Sequence, residues 1–433
     1  VSTIALPAAP LRRDAKLIGL VGLVHGLSHF CQLLLAPLFP WLRDAFGVGY
    51  GQLGLLMTAF FVTSCAVQTA SGFLVDRHGP RPVLLGGLAL LAAAALGLAA
   101  STSFAMLMAC SVVAGMGNGV FHPVDYTLLN RKVAPQRLGH AYSVHGITGS
   151  LGWALAPALL VPLTMVAGWR AALLVAAGVV LVVLGLVWWQ REAFSLAGEK
   201  RPAAGSAEAT ATVARNAVSR SRPQVRLAQS RGASDFLRLP AVWKCFGFFF
   251  LYAGALSVVQ TFAVPSAAQL HGVSSHWAAL CLTIYMLCAA AGMVAGGFLV
   301  QHKSHCETVI AVSLGVATLV ALTLGFGTVP GLAVPWLFGL LGLATGVSGP
   351  SRDLLVKQAT PLQASGRVYG VVYGGLDIGQ AVVPLVVGVL MDQGSVRGVW
   401  MVLAMLQLML IVSAFQVRRV QGGPVAQRPP QLR

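Results

Sequence analysis

The sequence predicts an all-α integral membrane protein, with twelve transmembrane helices arranged as two pseudo-symmetric six-helix bundles. Three observations carry that expectation. Of 433 residues, 57% are hydrophobic and only 9% charged, and the mean hydropathy is +0.78; soluble domains are roughly a quarter charged. Apolar runs of about 20 residues, enough to cross ~30 Å of hydrocarbon, recur about a dozen times. Glycines and prolines also recur in the same order in both halves of the chain. This composition excludes a soluble enzyme.

The runs fall at roughly 17–42, 50–75, 82–100, 103–129, 138–166, 169–190, 241–268, 275–300, 307–327, 330–357, 366–391 and 395–417. They divide the chain into a first six-helix bundle (1–190), a basic linker (191–240), a second bundle (241–417) and a tail (418–433). The first run is long enough to remain as a span rather than a cleaved signal. The linker is rich in Ala, Ser and Arg, has no periodicity and cannot bury a core. Basic residues outnumber acidic ones by 29 to 12. With the N-terminus inside, the outer loops hold only Arg43, Arg170 and Arg397, so the positive-inside rule places both termini in the cytoplasm. The charge is therefore topological and calls for no nucleic-acid partner; contact with anionic lipid headgroups is its expected by-product. The seven cysteines lie mostly within the runs and form no CxxC pair, so neither a disulfide framework nor a zinc motif is indicated.

The halves repeat one another. At an offset of 225, Pro40 pairs with Pro265, Gly47-Val48 with Gly272-Val273, and Gly72-Phe73-Leu74-Val75 with Gly297-Phe298-Leu299-Val300. At 227, Gly119-Val120 pairs with Gly346-Val347, Pro123 with Pro350, Gly139 with Gly366, Tyr142 with Tyr369, Gly152 with Gly379 and Pro157 with Pro384. Parallel repeats of this kind place a substrate site near the midplane, between halves that rock.

The segment Gly72-Phe73-Leu74-Val75-Asp76-Arg77-His78-Gly79-Pro80-Arg81 joins the second and third runs and resembles the GxLxDRxGRR signature of the major facilitator superfamily. The resemblance extends over the whole chain and implies two six-helix bundles, alternating access and secondary active transport. It also implies that Asp76, Arg77 and Arg81 gate the inner mouth and steady the outward-open state. Ser28-His29 and Gly119-Val120-Phe121-His122-Pro123 are similar to the fosmidomycin-resistance branch of efflux proteins, although Val124 separates His122-Pro123 from Asp125. The superfamily's usual fourth-helix Arg is Ser111 here, and the second-half copy of the loop signature reads Gln301-His302-Lys303, without an acid. Gly146-Ile147-Thr148-Gly149-Ser150-Leu151-Gly152, followed by Pro157, is similar to a glycine-rich antiporter motif.

Ionisable groups inside a bilayer are costly and by default suggest function. Helical spacing aligns four stripes: His25, His29 and Gln32; Asn118, His122 and Asp125; Tyr142 and His145; and Tyr369, Tyr373, Asp377 and Gln380. Interhelical hydrogen bonding alone accounts for a single His or Tyr; full stripes on helices that line the cavity of this superfamily favour substrate contact. His25, His29, Gln32, Asn118, His122, Tyr142, His145, Tyr373 and Gln380 are therefore the expected substrate-binding residues. Asp377 lies ~16 Å from the inner end of its helix, and together with Asp125 it is the expected proton carrier, because burial favours the protonated carboxyl such a role needs. At the 227 offset Asp125 maps onto Arg352. The two are expected near the inner mouth as a gate pair that meets when that mouth closes and separates when it opens, favouring the outward-open state, with Asp353 and Lys357 as alternative partners.

No cofactor or resident metal is expected. His302, His305 and Cys306 read as a solvated loop, while His25 and His29 at i, i+4 keep a metal or metal chelate as a minor substrate option. The leading expectation is a monomeric, proton-coupled exporter of a small organic compound in a bacterial inner membrane. Proton-symport uptake of a small organic acid is the alternative, and a non-transporting membrane receptor a third.

Overall fold

A computed structural model of the protein describes residues 11–196, 240–299, 306–359 and 366–421. Most of the expected linker, the second-half loop around Gln301-His302-Lys303 and the end of the tail lie outside the described residues. Among those described, every regular element is helical. In the first half these are α1 (Leu11–Gln32), α2 (Phe39–Phe46), α3 (Tyr50–His78), α4 (Pro80–Ala99), α5 (Phe104–Asn118), α6 (Phe121–Lys132) and α7 (Leu138–Trp189). In the second half they are α8 (Pro240–Val258), α9 (Val264–His271), α10 (Ser275–Leu299), α11 (Cys306–Phe326), α12 (Val334–Ala359), α13 (Gly366–Asp392) and α14 (Val396–Gln421).

Twelve spans follow once two features are read physically. The 52 residues of α7 would measure ~78 Å as one rod, more than twice the hydrocarbon thickness. The helix breaks at Gly168, whose φ of 84° and ψ of 160° suit a residue without a Cβ, and its two arms are the fifth and sixth spans. The fourth span is the reverse case, one crossing made of two helices. Pro123 has no N–H to offer the carbonyl four residues back and its ring crowds that carbonyl, so α5 stops at Asn118 and α6 starts at Phe121. The freed Gly119 carbonyl accepts a hydrogen bond from Ser71 Oγ at 3.1 Å, the kind of local repair a broken helix needs in lipid. The first span likewise comprises α1, a short 3₁₀ turn at Ala36–Leu38 and α2; the seventh comprises α8, a π-turn at Val259–Ala263 and α9.

The halves pack alike. In the first, α1 lies along α7 and α3 along α5; in the second, α8 lies along α13 and α10 along α12. Two symmetry-related pairs join the halves, α3 with α13 and α7 with α10. Glycines set these distances. A Cβ on Gly115 would strike the Phe60 carbonyl, and one on its repeat mate Gly342 would strike the carbonyl of Tyr285. Gly119 meets Ser64 as Gly346 meets Ala289, and Gly152 meets Gly26 as Gly379 meets Phe250. Large apolar side chains such as Val166, Val182 and Leu319 point outward, to where lipid would lie, and Trp188, Trp189 and Trp336 sit exposed at helix ends, as interfacial anchors do.

The halves touch most closely at one face. There Phe262 lies between Phe39 and Tyr50, with ring centroids 5.9 Å from each. Asp392, at the end of α13, accepts hydrogen bonds at 2.7 Å from the backbone N–H groups of Tyr50 and Gly51 in the first turn of α3. From this closed face toward the middle of the spans follow the Thr58 hydroxyl bond to the Ala381 carbonyl and the Gln68–Asp377 contact. The opposite face carries Arg12, Arg13, Lys16, Arg77, Arg81, Arg131 and Arg137.

The Gly152 contact yields a paired expectation. Gly152→Ala puts a methyl group into the Gly26 backbone and should cost ~1–3 kcal/mol. Gly178→Ala, on the second arm of α7 where nothing lies within 4 Å, should be neutral or stabilise by up to ~1 kcal/mol. Melting of the purified variants in detergent checks the contrast; equal melting points would remove close packing as the reason for Gly152.

Candidate functional site

Pro123 re-aims α6, so that its polar residues turn toward α1 and the first arm of α7. The result is a polar cluster inside the first half. Asp125, 1% exposed, places Oδ2 3.1 Å from His145 Nε2 and 3.2 Å from His25 Nδ1. The His145 contact has hydrogen-bond geometry, whereas the His25 contact is short but misaligned, leaving Nδ1 without a bonded partner. The rings of His25 and His145 stack with centroids 3.4 Å apart and an interplanar angle of 20°. His122 approaches His25 at 5.2 Å, His29 lies 4.4 Å from His25, and Tyr126 stacks on His122. Gly149 makes room: a Cβ there would press on both His25 and His29.

Beside the cluster, Asn118 ties three spans together. It accepts from Ser28 Oγ at 2.8 Å and donates to Ser64 Oγ at 3.0 Å. Gln32 accepts from Trp153 Nε1 at 2.9 Å, and His29 packs on the Trp153 ring at 4.3 Å. Trp153 is thus a wall with two sides. Its far side, with Ser150, borders a cavity otherwise lined by the second half, including Tyr252, Tyr285, Thr345, Arg352 and Gln407. No acidic residue is among the lining residues, and Arg352 is the cation among them, with its guanidinium 3.9 Å from the centre of the Tyr252 ring.

The structure therefore brings His25, His29, His122, His145 and Asp125 together, with Asn118 and Gln32 beside them, but behind the cavity wall rather than along it. Tyr142 bonds Asn130 at 2.6 Å, away from His145. Gln380 is buried on α13. Tyr373 lies on α13, and its side chain, like those of Tyr369, Asp353 and Lys357, is outside the described residues. Asp377 receives Gln68 Nε2 at 3.3 Å across the junction of α3 and α13. The members of the expected gate pair do not meet in this conformation: Asp125 engages His25 and His145 of its own half, and Arg352 lies in the other half on Tyr252. The Pro123 break turns Asp125 into its own half. In the loop signature, Asp76 lies 3.8 Å from Arg131 and Arg81 lies 3.7 Å from Glu192, both pairs near the surface, while Arg77 is exposed.

Three residues escaped the sequence. Asp14, 1% exposed, accepts from Ala134 N–H at 3.0 Å and from Arg137 Nε and Nη2 at 2.8 and 2.6 Å, fastening the start of α1 to the turn before α7. Asp392 and Trp153 are the others. Asp392 left one trace in Gly49-Tyr50-Gly51, where a Cβ on either glycine would press on its carboxylate.

Two six-helix bundles related by a repeat, joined along symmetric helix pairs around a cavity, define a membrane transporter. Residues 21–334 and 245–432 match the family model of the Major Facilitator Superfamily, and the chain belongs to that superfamily. Its members move small-molecule substrates across membranes and are not enzymes. The chain is 25% identical to the fosmidomycin resistance protein of Escherichia coli (strain K12), with 96% of each chain covered. It is also 28% identical over 197 residues to YfnC, an uncharacterized MFS-type transporter of Bacillus subtilis (strain 168), a match spanning 44% of this chain and about half (48%) of the relative. The fold is shared with a crystal structure of a bacterial homologue of the human lysosomal transporter Spinster in an inward-facing, unoccupied conformation. The TM-score is 0.67 at 14% identity, covering 95% of this chain and 97% of that one.

The closed face can be tested directly. Asp392→Ala removes two charge-assisted hydrogen bonds that span the halves, each typically worth more than 1 kcal/mol, so the ratio of closed to open face should fall by about tenfold or more. Spin labels at Asp44 and Gln393, both exposed near this face, should then report longer distances. An unaltered distance distribution would show that the cap does not hold the face shut.

Proposed function

We propose that the protein is a proton-coupled exporter of a small organic compound, working by alternating access in a bacterial inner membrane with its basic face in the cytoplasm. In that orientation the closed face is periplasmic and this conformation faces inward. The observation that carries the reading is the position of Asp377. It is a carboxylate at the junction of α3 and α13, reached by Gln68 from the other half. When the halves rock, the surroundings of such a group change, so the state that binds the proton and the state that opens a face are linked. Substrate occupies the cavity between Trp153 and Tyr252, Tyr285, Arg352 and Gln407. The fosmidomycin resistance protein among its relatives supports export. Uptake of a small organic acid is the second reading, favoured by Arg352 as the cation of a cavity with no acidic lining residue.

Flux in reconstituted vesicles under imposed pH gradients separates the two: export requires substrate to move against the proton gradient, uptake with it. Asp377→Asn should abolish gradient-driven accumulation while sparing substrate counterflow. Undiminished driven flux in that variant would remove Asp377 from coupling. Orientation is checked by reporter fusions. Those at Gly198 and in the tail should read cytoplasmic and one near Gly168 periplasmic; a periplasmic tail would overturn the topology.

A further inference from the structure

The transport reading leaves the cluster behind Trp153 unused, although it concentrates the ligand chemistry of the first half. Donor atoms of His25, His122 and His145 lie within 4.8 Å of one another. Asp125 Oδ2 lies 3.2 Å from His25 Nδ1 and 3.1 Å from His145 Nε2. Ligands placed ~2.0–2.1 Å from a tetrahedral Zn²⁺ stand ~3.3 Å apart, so two edges of such a tetrahedron are already at length. To complete it, His25 and His145 turn out of their stack and the three histidine donors, now within 4.8 Å of one another, close by up to about 1.5 Å. The hydrogen bonding points the same way: His25 Nδ1, His122 Nδ1 and Asp125 Oδ1 are buried atoms without a hydrogen-bond partner. Buried polar atoms are rarely left so, and one cation among them would answer several at once.

We propose that His25, His122 and His145, with Asp125 as fourth ligand, form a binding site for a zinc-type divalent cation that ties α1, α6 and α7 together. Three imidazole nitrogens and one carboxylate suit Zn²⁺, and they are a poor match for Mg²⁺ or Ca²⁺, which take oxygen. The carboxylate offsets part of the ion's charge. His122 is the least buried of the three histidines and marks the side of entry, while His25 and His145 are 3% and 5% exposed. The pair His25 and His29, aligned by spacing, is not the donor set: His29 turns to Trp153 instead.

The test uses full-length, tag-free protein, purified in detergent from cells grown with added Zn²⁺ and washed briefly with chelator. Elemental analysis should find about one zinc per chain. Co²⁺ loaded in its place should give the strong visible absorption of a tetrahedral site. His145→Ala and His122→Asn should each lose the metal and the cobalt band, whereas His140→Ala, at an exposed histidine elsewhere, should keep both. His122→Asn, at the least buried corner, carries the result if His145→Ala does not fold, with folding judged by monodisperse elution. Metal well below one equivalent in the wild type, or metal content that the cluster variants leave unchanged, would overturn the site. Asp377 and the cavity are untouched by these variants, so this proposal and the transport reading can fail independently.

Discussion

Close approach of helix backbones is the constraint from which the rest of the structure follows. Lipid is as apolar as leucine, so burying apolar side chains does little to hold membrane helices together; tight packing and polar contacts must do it. Here the carbonyl of one helix repeatedly fills the space where a Cβ would stand on another. Gly115 meets Phe60 and Gly342 meets Tyr285; Gly119 meets Ser64 and Gly346 meets Ala289. The partners, and not only the glycines, are related by the repeat, so duplication preserved whole contacts. The same device recurs where the halves join: a Cβ on Gly54 would strike the Pro384 carbonyl, and one on Gly388 that of Tyr50. A seam built this way closes without rotamer adjustment, and the Asp392 cap on the first turn of α3 adds direction to it.

With the backbones fixed, side chains were free to diverge. Asn118, which joins three spans, has Thr345 as its repeat mate, and Thr345 bonds Tyr285 at 3.1 Å while its hydroxyl otherwise returns to the Leu341 and Gly342 carbonyls of its own helix. Asp125 has Arg352, His122 has Gly349 and His145 has Val372. The first half thus acquired a polar interior and the second half the cavity lining. Trp153 connects them, donating to Gln32 on one side and bordering the cavity on the other.

The fold was legible because hydropathy, loop charge and the ordered Gly–Pro series each act over many residues, so errors at single positions average out. The site was legible only in part. Spacing aligned His25 with His29 and Asn118 with Asp125, since residues four and seven apart share a helix face. It could not say which neighbour that face meets, which depends on how Pro123 reorients α6. The repeat matched Asp125 with Arg352, but the break at Gly119-Val120, three residues and more upstream of Pro123, decides where Asp125 points in this conformation. Asp14 and Asp392 were out of reach for a different reason. Each caps or pairs with backbone far along the chain, 120 residues away for Ala134 and 342 for Tyr50, and backbone N–H groups leave no mark in a sequence.

The different duties proposed for the two carboxylate centres have one mechanical reason. Ligand or proton binding shifts a conformational equilibrium only through contacts that differ between the states. Asp125 and its histidines all belong to α1, α6 and α7, elements of one half. If each half moves as a unit, their mutual distances stay constant as the faces open and close, and whatever they bind stabilises both states alike. Asp377 is placed otherwise, because its partner Gln68 belongs to the opposite half. Rocking changes what surrounds this carboxylate, and hence the cost of charging it. On the proposed reading, coupling therefore belongs to the seam, and the proposed cation site to the stability of the half that encloses it.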